Sequence, residues 1–573
     1  MGKKPLRVAL VVDHPDRDLA GLVLVALELA RRGVACHLVP MNLQAREIWA
    51  LAPDLVLFNY LRASNEVFGR QLAEAGIAFG VLDTEGAIWS TPEEYASLLW
   101  KDAALRRQAR CVCMWGASLA AFVVGQGLYS DEQVVVTGCP RFDLYAAPWR
   151  RLREDVDEAL RRPARRILIN TNFSVSNPRF TTADKCVAMH HTVLGYSQAE
   201  LRHVVDAEAA AIRAVGSMAA RLGDRFPELE IVIRPHPFED PAPYESAAAR
   251  RRNVRVNQIE SIQAAIFGAC AVIQRSCTTA VEAGLAGVPA FSPQWIAAPF
   301  LMPLAEAASV PCASFEDLTM HIGAIVDGTY RTPPETSRAI DDVMRECCVA
   351  ADGQAHRRVS DAVFRALERL ALAPAPASES EALSVSSLAA VSQAAATAAP
   401  SRIDYRRCRQ RLYGLDALAD ASLGASPDPL SGAVRTARPE GALARAARHA
   451  RLRLGLSPEW SFTRMREVPA QDWMNGRKHF DAALVQRLVD RACELEREPH
   501  VASAAQRDLL PPLAAGERDG AGRARFAEAG RGHASASPAK GQQASATRIA
   551  VRAAGGSGAA LARYGVAIAA AGP

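Results

Sequence analysis

The apolar run at residues 77–82 ends abruptly in Asp83, Thr84, Glu85 and Gly86. A carboxylate at the edge of a cleft is able to take a proton from a hydroxyl. A glycine beside it lets the chain turn sharply and lets a substrate come close. On an extended chain Asp83 and Glu85 point to the same side, so both are expected to line one cleft. The competing structural reading is that the two acids cap the next turn, and the residues alone leave the two readings even. A second group is Arg234-Pro235-His236-Pro237. Prolines on both sides fix the backbone around the histidine and remove two donors. An imidazole held in this way has the chemistry to donate to a leaving phosphate, and Arg234 adds permanent positive charge.

A third group opens with Gln274-Arg275-Ser276-Cys277-Thr278-Thr279 and runs on to Glu282. The exposed backbone N–H groups of a helix start bind phosphate. The hydroxyls of Ser276, Thr278 and Thr279 add side-chain donors. Thr279 and Glu282 also fit a capping box, so Glu282 is either structural or reaches a ribose. Asn170 and Asn172, in NTNFS, are a further candidate contact to a nucleotide or sugar, with ordinary turn chemistry as the alternative. Asp13-His14-Pro15 and Arg17-Asp18 are placed to meet an acceptor, and residues 138–143 to mark the hinge side of the cleft.

These groups need elements that hold them at one edge. Short apolar runs at 6–12, 35–39, 55–58, 77–82, 111–115 and 134–137 alternate with helical patterns at 20–32, 68–75 and 96–108. A second cycle has runs at 166–170, 230–234, 271–274 and 288–291, a long amphipathic helix at 201–222, and a last helix at 360–372. Strands that are continuously apolar and separated by helices imply parallel sheets covered on both faces. Ligands of such sheets sit beyond the carboxyl ends of the strands, where all four groups lie.

The expected organisation is a first Rossmann-like unit over 1–148, which holds the acceptor, and a second over 149–372, which holds the donor. An Ala/Ser/Pro-rich linker at 373–400 follows, then a small helical segment over 401–500. Residues 501–573, rich in Ala, Gly and Arg, read as disordered.

That tail holds nine Lys/Arg against four Asp/Glu, which equals the net charge of +5 of all 573 residues. The rest is close to neutral, unlike a domain built to neutralise nucleic-acid phosphates. No secretory signal, myristoylation site or run of about 18 apolar residues stands out, so a cytoplasmic protein is expected. The twelve cysteines form no CxxC pair and read as reduced thiols. Neither GxGxxG after the first strand, GxxxxGK[ST] nor GxSxG is present. Cys186, His190 and His191 in KCVAMHH lack a fourth ligand, and metal-independent chemistry is expected.

The stretches LDTEGA, NTNFSVSNPRF, RPHPFED and QRSCTTAVEAGLAGVPAF resemble the surface carbohydrate biosynthesis proteins of bacteria. Their pattern is similar to the CMP-sugar transferases of GT-B type that move sialic acid or Kdo. The resemblance spans about residues 5–370, with short matches (PEWSF, RKHF) in 401–500. It implies a GT-B-like α/β fold with two facing Rossmann-type units, and metal-independent transfer of a sugar from a nucleotide-linked, CMP-type donor to a surface glycan or lipid-linked glycan. No bound cofactor is implied beyond that co-substrate, and a peripheral contact with the inner membrane or an assembly complex is compatible with it. By the same resemblance Glu85 matches the base or nucleophile, His236 the group that assists the leaving phosphate, and Ser276, Thr278 and Thr279 the hydroxyls that hold it. In sialyltransferases two acids directly precede the glycine, whereas here Thr84 intervenes. A CDP-glycerol-type polyol-phosphate transferase, a nucleotide-sugar epimerase and a non-catalytic glycan-assembly partner are the alternatives.

Overall fold

A computed structural model describes residues 6–372, except 87–88, 163, 195, 250, 259 and 350, and also 480, 482–498, 549–553 and 566–570. Two parallel sheets of six strands organise it. The first contains β1 (Arg7–Val12), β2 (Ala35–Pro40), β3 (Leu55–Phe58), β4 (Ala78–Leu82), β5 (Val112–Met114) and β6 (Val134–Val136), in the order β2-β1-β3-β4-β5-β6. The second contains β7 (Arg166–Asn170), β8 (Glu230–Arg234), β9 (Val254–Val256), β10 (Ala269–Gln274), β11 (Ala290–Pro293) and β12 (Val310–Cys312), in the order β12-β11-β10-β7-β8-β9.

The middles of the strands, such as Val8–Val12, Ile167–Ile169 and Ile231–Ile233, are apolar because both faces are covered, and the charged residues Arg7, Arg166, Glu230 and Arg234 sit at strand ends. In β1, Val8, Leu10 and Val12 enter one core while Ala9 and Val11 enter another on the opposite face. Strand order reverses between β1 and β3 in the first sheet and between β7 and β10 in the second. Those two reversals open the crevices in which ligands of such sheets sit.

Three expectations meet a different local outcome. The helical pattern at 96–108 is split into Pro92–Leu98 and Ala103–Arg106, because Leu99 adopts an extended conformation and Asp102 starts a new helix by accepting from the Leu105 N–H. The last helix, Ala355–Leu372, follows the second unit in sequence but packs on the first. Val359, Val363, Ala366 and Leu367 share one core with the helix Ala20–Arg31, and the Ser360 hydroxyl donates to the Val25 carbonyl at 3.1 Å. The first unit therefore takes back the end of the segment 149–372.

The third concerns 501–573, in which two strands, β13 (Ile549–Ala553) and β14 (Val566–Ala570), add antiparallel to the edge of the first sheet beside β2. Of the segment 401–500, the helix Ala482–Arg497 lays Val485, Leu488, Val489, Ala492 and Leu495 on that same first core. The linker 373–400 and the remainder of 401–573 lie outside the described residues.

Polar contacts, one buried and one exposed, tie the units together. Asp143 accepts from the backbone N–H groups of Ala355 (2.9 Å) and His356 (2.7 Å) and pairs with the His356 ring at 2.8 Å. It thereby caps the returning helix. Glu346 of the helix Pro334–Cys348 accepts from the N–H and hydroxyl of Ser118, at the start of the helix Ala117–Gly125. Gly116 is needed at that contact, since a Cβ there would lie 1.4 Å from the Glu346 carbonyl oxygen.

Candidate functional site

The carboxyl ends of β1 and β4 face those of β7, β8 and β10 across the cleft between the units. Asp83, at the end of β4, is 2% exposed and fully engaged. Arg62 grips it with two hydrogen bonds, 2.8 and 3.2 Å, the Tyr95 hydroxyl donates to it at 3.2 Å, and the Glu85 N–H donates at 2.9 Å. Arg62 in turn lies over the rings of Tyr60, Trp89 and Tyr95. With its lone pairs spent in this way, Asp83 positions the turn.

Glu85 is the opposite case. It is half-buried, and its carboxylate makes no hydrogen bond among the described residues. Burial pushes its pKa up, and Asp83 adds to the effect against the opposing charges of Arg17 and Arg62. Gly86 lets this turn lie against Trp115, whose ring a Cβ would approach to 2.7 Å. The Trp115 indole N–H donates to the Asp83 carbonyl at 2.5 Å and fixes the strand end. Thus the two acids separate in role: Asp83 is a support, and Glu85 is free to react.

Beyond β1 the chain forms a five-residue π-helical turn, Pro15–Leu19, a feature frequent at functional sites. It presents Arg17, paired with Asp13 and Asp18. The charge of Arg17 reaches Glu85 in its own unit and both His236 and Glu282 in the other. Arg141, buried, lies over Trp115 and Phe142, with Asp18 at 3.8 Å and Glu282 of the second unit at 4.0 Å. Asp18, Arg141 and Glu282 thus form a charged row that spans the cleft.

His236 follows β8 in the Pro-His-Pro turn. Its Nδ1 accepts the Phe238 N–H at 3.3 Å, so the neutral ring carries its proton on Nε2. Burial lowers its pKa to about 4, with Arg234 and Arg17 adding to the effect. Near neutral pH the ring is therefore an uncharged hydrogen-bond donor. Glu239 holds this turn. It is fully buried and accepts from the His236 N–H (3.0 Å), the Thr171 hydroxyl (2.8 Å) and the Tyr244 hydroxyl (2.7 Å). Arg234 donates to the Glu260 carbonyl at 3.1 Å and contributes its charge to His236 and Glu282.

The hydroxyl-rich start of the helix Thr279–Ala286 is divided in function. Ser276 is buried with φ of +52°, and its N–H donates to Glu306 at 2.8 Å while its hydroxyl accepts the Met302 N–H at 3.2 Å. Thr279 accepts from the Asn170 amide at 3.1 Å across the β7–β10 crevice. Thr278 is the helix N-cap residue, without a side-chain capping bond, and its half-buried hydroxyl makes no hydrogen bond among the described residues. The capping box read for Thr279 and Glu282 is not formed, because the helix starts one residue earlier and Glu282 faces Arg141 instead. Burial raises the pKa of Glu282 against the charges of Arg141, Arg17 and Arg234. Asn172 is half-buried beyond β7. Among the described residues the buried Asn170 side-chain carbonyl has no partner, and it is an acceptor that a ligand would satisfy.

Sequence reasoning missed Arg62, Tyr95 and Glu239 as the supports of the two strand ends, and it gave Arg141 no chemical role. Cys186, His190 and His191 do not gather their ligand atoms: His190 Nδ1 faces the Cys186 carbonyl at 2.8 Å and its ring stacks on Phe300.

No protein-family model matches the chain, and no curated protein matches it. Solved structures do resemble it. The UDP-GlcNAc 2-epimerase from Neisseria meningitidis bound to UDP-GlcNAc is 13% identical, with 63% of this chain and 100% of that one covered at a TM-score of 0.39. The UDP-N-acetylglucosamine 2-epimerase from Rickettsia bellii is 12% identical over 64% and 96% of the two chains, with a TM-score of 0.39. The wall teichoic acid polymerase TagF is 11% identical over 52% and 70%, with a TM-score of 0.34. The two facing six-stranded parallel sheets of the present chain are a GT-B-like arrangement. No helix among the described residues is long and apolar enough to cross a membrane.

Proposed function

We propose that this protein transfers a sugar from a nucleotide-activated donor, CMP-linked, to a glycan or lipid-linked glycan acceptor. The observation that carries the reading is that Glu85 of the first unit and His236 of the second both lie within the electrostatic reach of Arg17. Glu85 is the general base for the acceptor hydroxyl. Its raised pKa brings it closer to neutrality, where a base works best. His236 donates its Nε2 proton in a hydrogen bond to the departing phosphate, and the Thr278 hydroxyl at the start of the helix Thr279–Ala286 shares that charge. Asp83 holds the turn of Glu85, and Glu239 holds the turn of His236. In this reading Asn170, Asn172, Thr278 and Arg234 would contact the nucleotide, and Ser276 and Thr279 would shape its floor.

A second reading is nucleotide-sugar epimerisation. It is favoured by one specific feature: Glu85 and Glu282, from opposite units, are both carboxyls with raised pKa in reach of Arg17. Such a pair is able to serve as acid and base on one substrate. A panel of CMP-, CDP- and UDP-linked donors, with product analysis in the presence and absence of glycan acceptor, separates the two. Acceptor-dependent release of CMP with a new glycosidic product is the expected result. Isomerisation of a UDP-sugar without acceptor would replace the transfer reading with the epimerase one.

A further inference from the structure

At the lateral edge of the second sheet, away from the residues placed in the cleft, three side chains of metal-binding type point at one another. Cys312 ends β12, and Asp317 and His321 lie one turn apart on the helix Phe315–Val326 that follows. One donor atom of each lies within 4.8 Å of the other two. His321 Nε2 and Asp317 Oδ1 are 3.6 Å apart. Around a tetrahedral zinc ion, donor atoms of these kinds stand about 3.3–3.6 Å from one another, so small side-chain rotations would close the set.

The surroundings hold the donors in place. The His321 ring stacks on Phe291 (5.5 Å between centroids, 26°) and meets Tyr330 edge-on at 6.0 Å. Asp317 Oδ2 accepts the Ala313 N–H at 2.9 Å, which leaves Oδ1 toward His321. Bracing of ligands by such outer contacts is characteristic of metal sites. Cys312 is fully buried, and among the described residues its thiol makes one weak hydrogen bond, 3.8 Å, to the Val310 carbonyl. His321 and Asp317 keep part of their surface in solvent, which supplies an entry path and a water for the fourth position.

We propose that Cys312, Asp317 and His321 bind one divalent cation of the zinc class. One thiolate, one imidazole and one carboxylate suit zinc better than magnesium or calcium, which prefer oxygen alone. On binding, the Cys312 thiol gives its proton to solvent and the sulfur–metal bond replaces the S–H bond. The ion clips the edge strand β12 to its helix. With three protein ligands and a solvent molecule as the fourth, the site is an open one, and it takes no part in transfer in the cleft.

The test uses the full chain, stripped with chelator and titrated with Co²⁺ as a spectroscopic stand-in for zinc. The expected result is a thiolate-to-cobalt charge-transfer absorption that saturates at one equivalent and is displaced by Zn²⁺. It should be lost in Cys312→Ser and weakened at least tenfold in midpoint in His321→Gln, and Zn²⁺ should raise the Tm of the wild type alone. Because Cys312→Ser sits in the core, His321→Gln at the surface decides the matter if the first variant fails to fold. An unchanged absorption in a folded variant, or its absence in the wild type, overturns the site.

Discussion

Asp83 and Glu85 show how two acids two residues apart acquire different work. The alternation of an extended chain places both on one side, and that is as far as residue types reach. What separates them is Arg62, 21 residues before Asp83, which ties up one carboxylate and leaves the other. Asp83→Asn should therefore act mainly through stability. It leaves the boxed Arg62 guanidinium without its charge partner, and breaking a buried pair from one side costs about 3–5 kcal/mol. Glu85→Gln should leave the Tm nearly unchanged and lower kcat by about 10²–10³. Thermal unfolding and turnover measured on both variants check this; a stable Asp83→Asn enzyme without activity would give the catalytic role to Asp83.

The pH dependence follows from the two groups across the cleft. Glu85 must be ionised to act, and its pKa is raised, so kcat/KM should climb along an acid limb placed above the ordinary carboxylate range. His236, with a pKa of about 4 against an ordinary 6.5, is already neutral along that limb. Its linkage to folding has the matching sign. Above the unfolded value of 6.5 it adds no pH dependence, and as pH falls toward 4 the unfolded chain takes a proton that the folded chain refuses, so stability declines. A pH–rate profile whose acid limb vanishes in the residual activity of Glu85→Gln is expected. A limb near 6.5 that vanishes in His236→Ala would contradict the neutral histidine.

At the scale of elements, the strands were the most legible part of the sequence. Val8 to Val12 and the centres of RILIN and EIVIR are unbroken apolar runs, the pattern of parallel strands covered on both faces. The four motif groups were legible for the same reason, since the ends of such runs are where the sites of open sheets lie. The break in the helical pattern at 96–108 was not, because Leu99 and Trp100 are apolar residues whose burial is tertiary. Nor were Arg62 and Glu239, whose partners lie across strand ends and only meet after folding. Gly86 belongs to this scale, because it sets how closely the β4 turn approaches Trp115. Gly86→Ala forces a Cβ to 2.7 Å from that ring, an overpacking that costs about 1–3 kcal/mol. The variant should lower both Tm and kcat, since Glu85 is the next residue. Unchanged stability and turnover would show that the turn has room to shift.

The whole molecule is more interleaved than its sequence order. The amphipathic face of Ala355–Leu372 announces a buried helix but not which core receives it, so sequence order assigned it to the second unit. The fold instead returns it to the first, where Asp143 caps it. The helix Ala482–Arg497 closes the same core, with Arg31 bound to Glu496 and Arg151 to Glu498. A chain cut at residue 372 would expose that apolar surface, so binding is properly measured on the full chain.

The measurement that bears most directly on the central claim is calorimetric titration of the full chain with CMP, CDP and UDP, repeated on His236→Ala. The account predicts preferential binding of CMP, weakened about 10–100-fold by the substitution, as expected for the loss of a hydrogen bond to a charged phosphate. Binding that prefers CDP or UDP would contradict the CMP-linked donor. Equal binding by His236→Ala would remove the histidine from the phosphate, and no binding of any nucleotide by the folded protein would contradict nucleotide-sugar chemistry in this cleft.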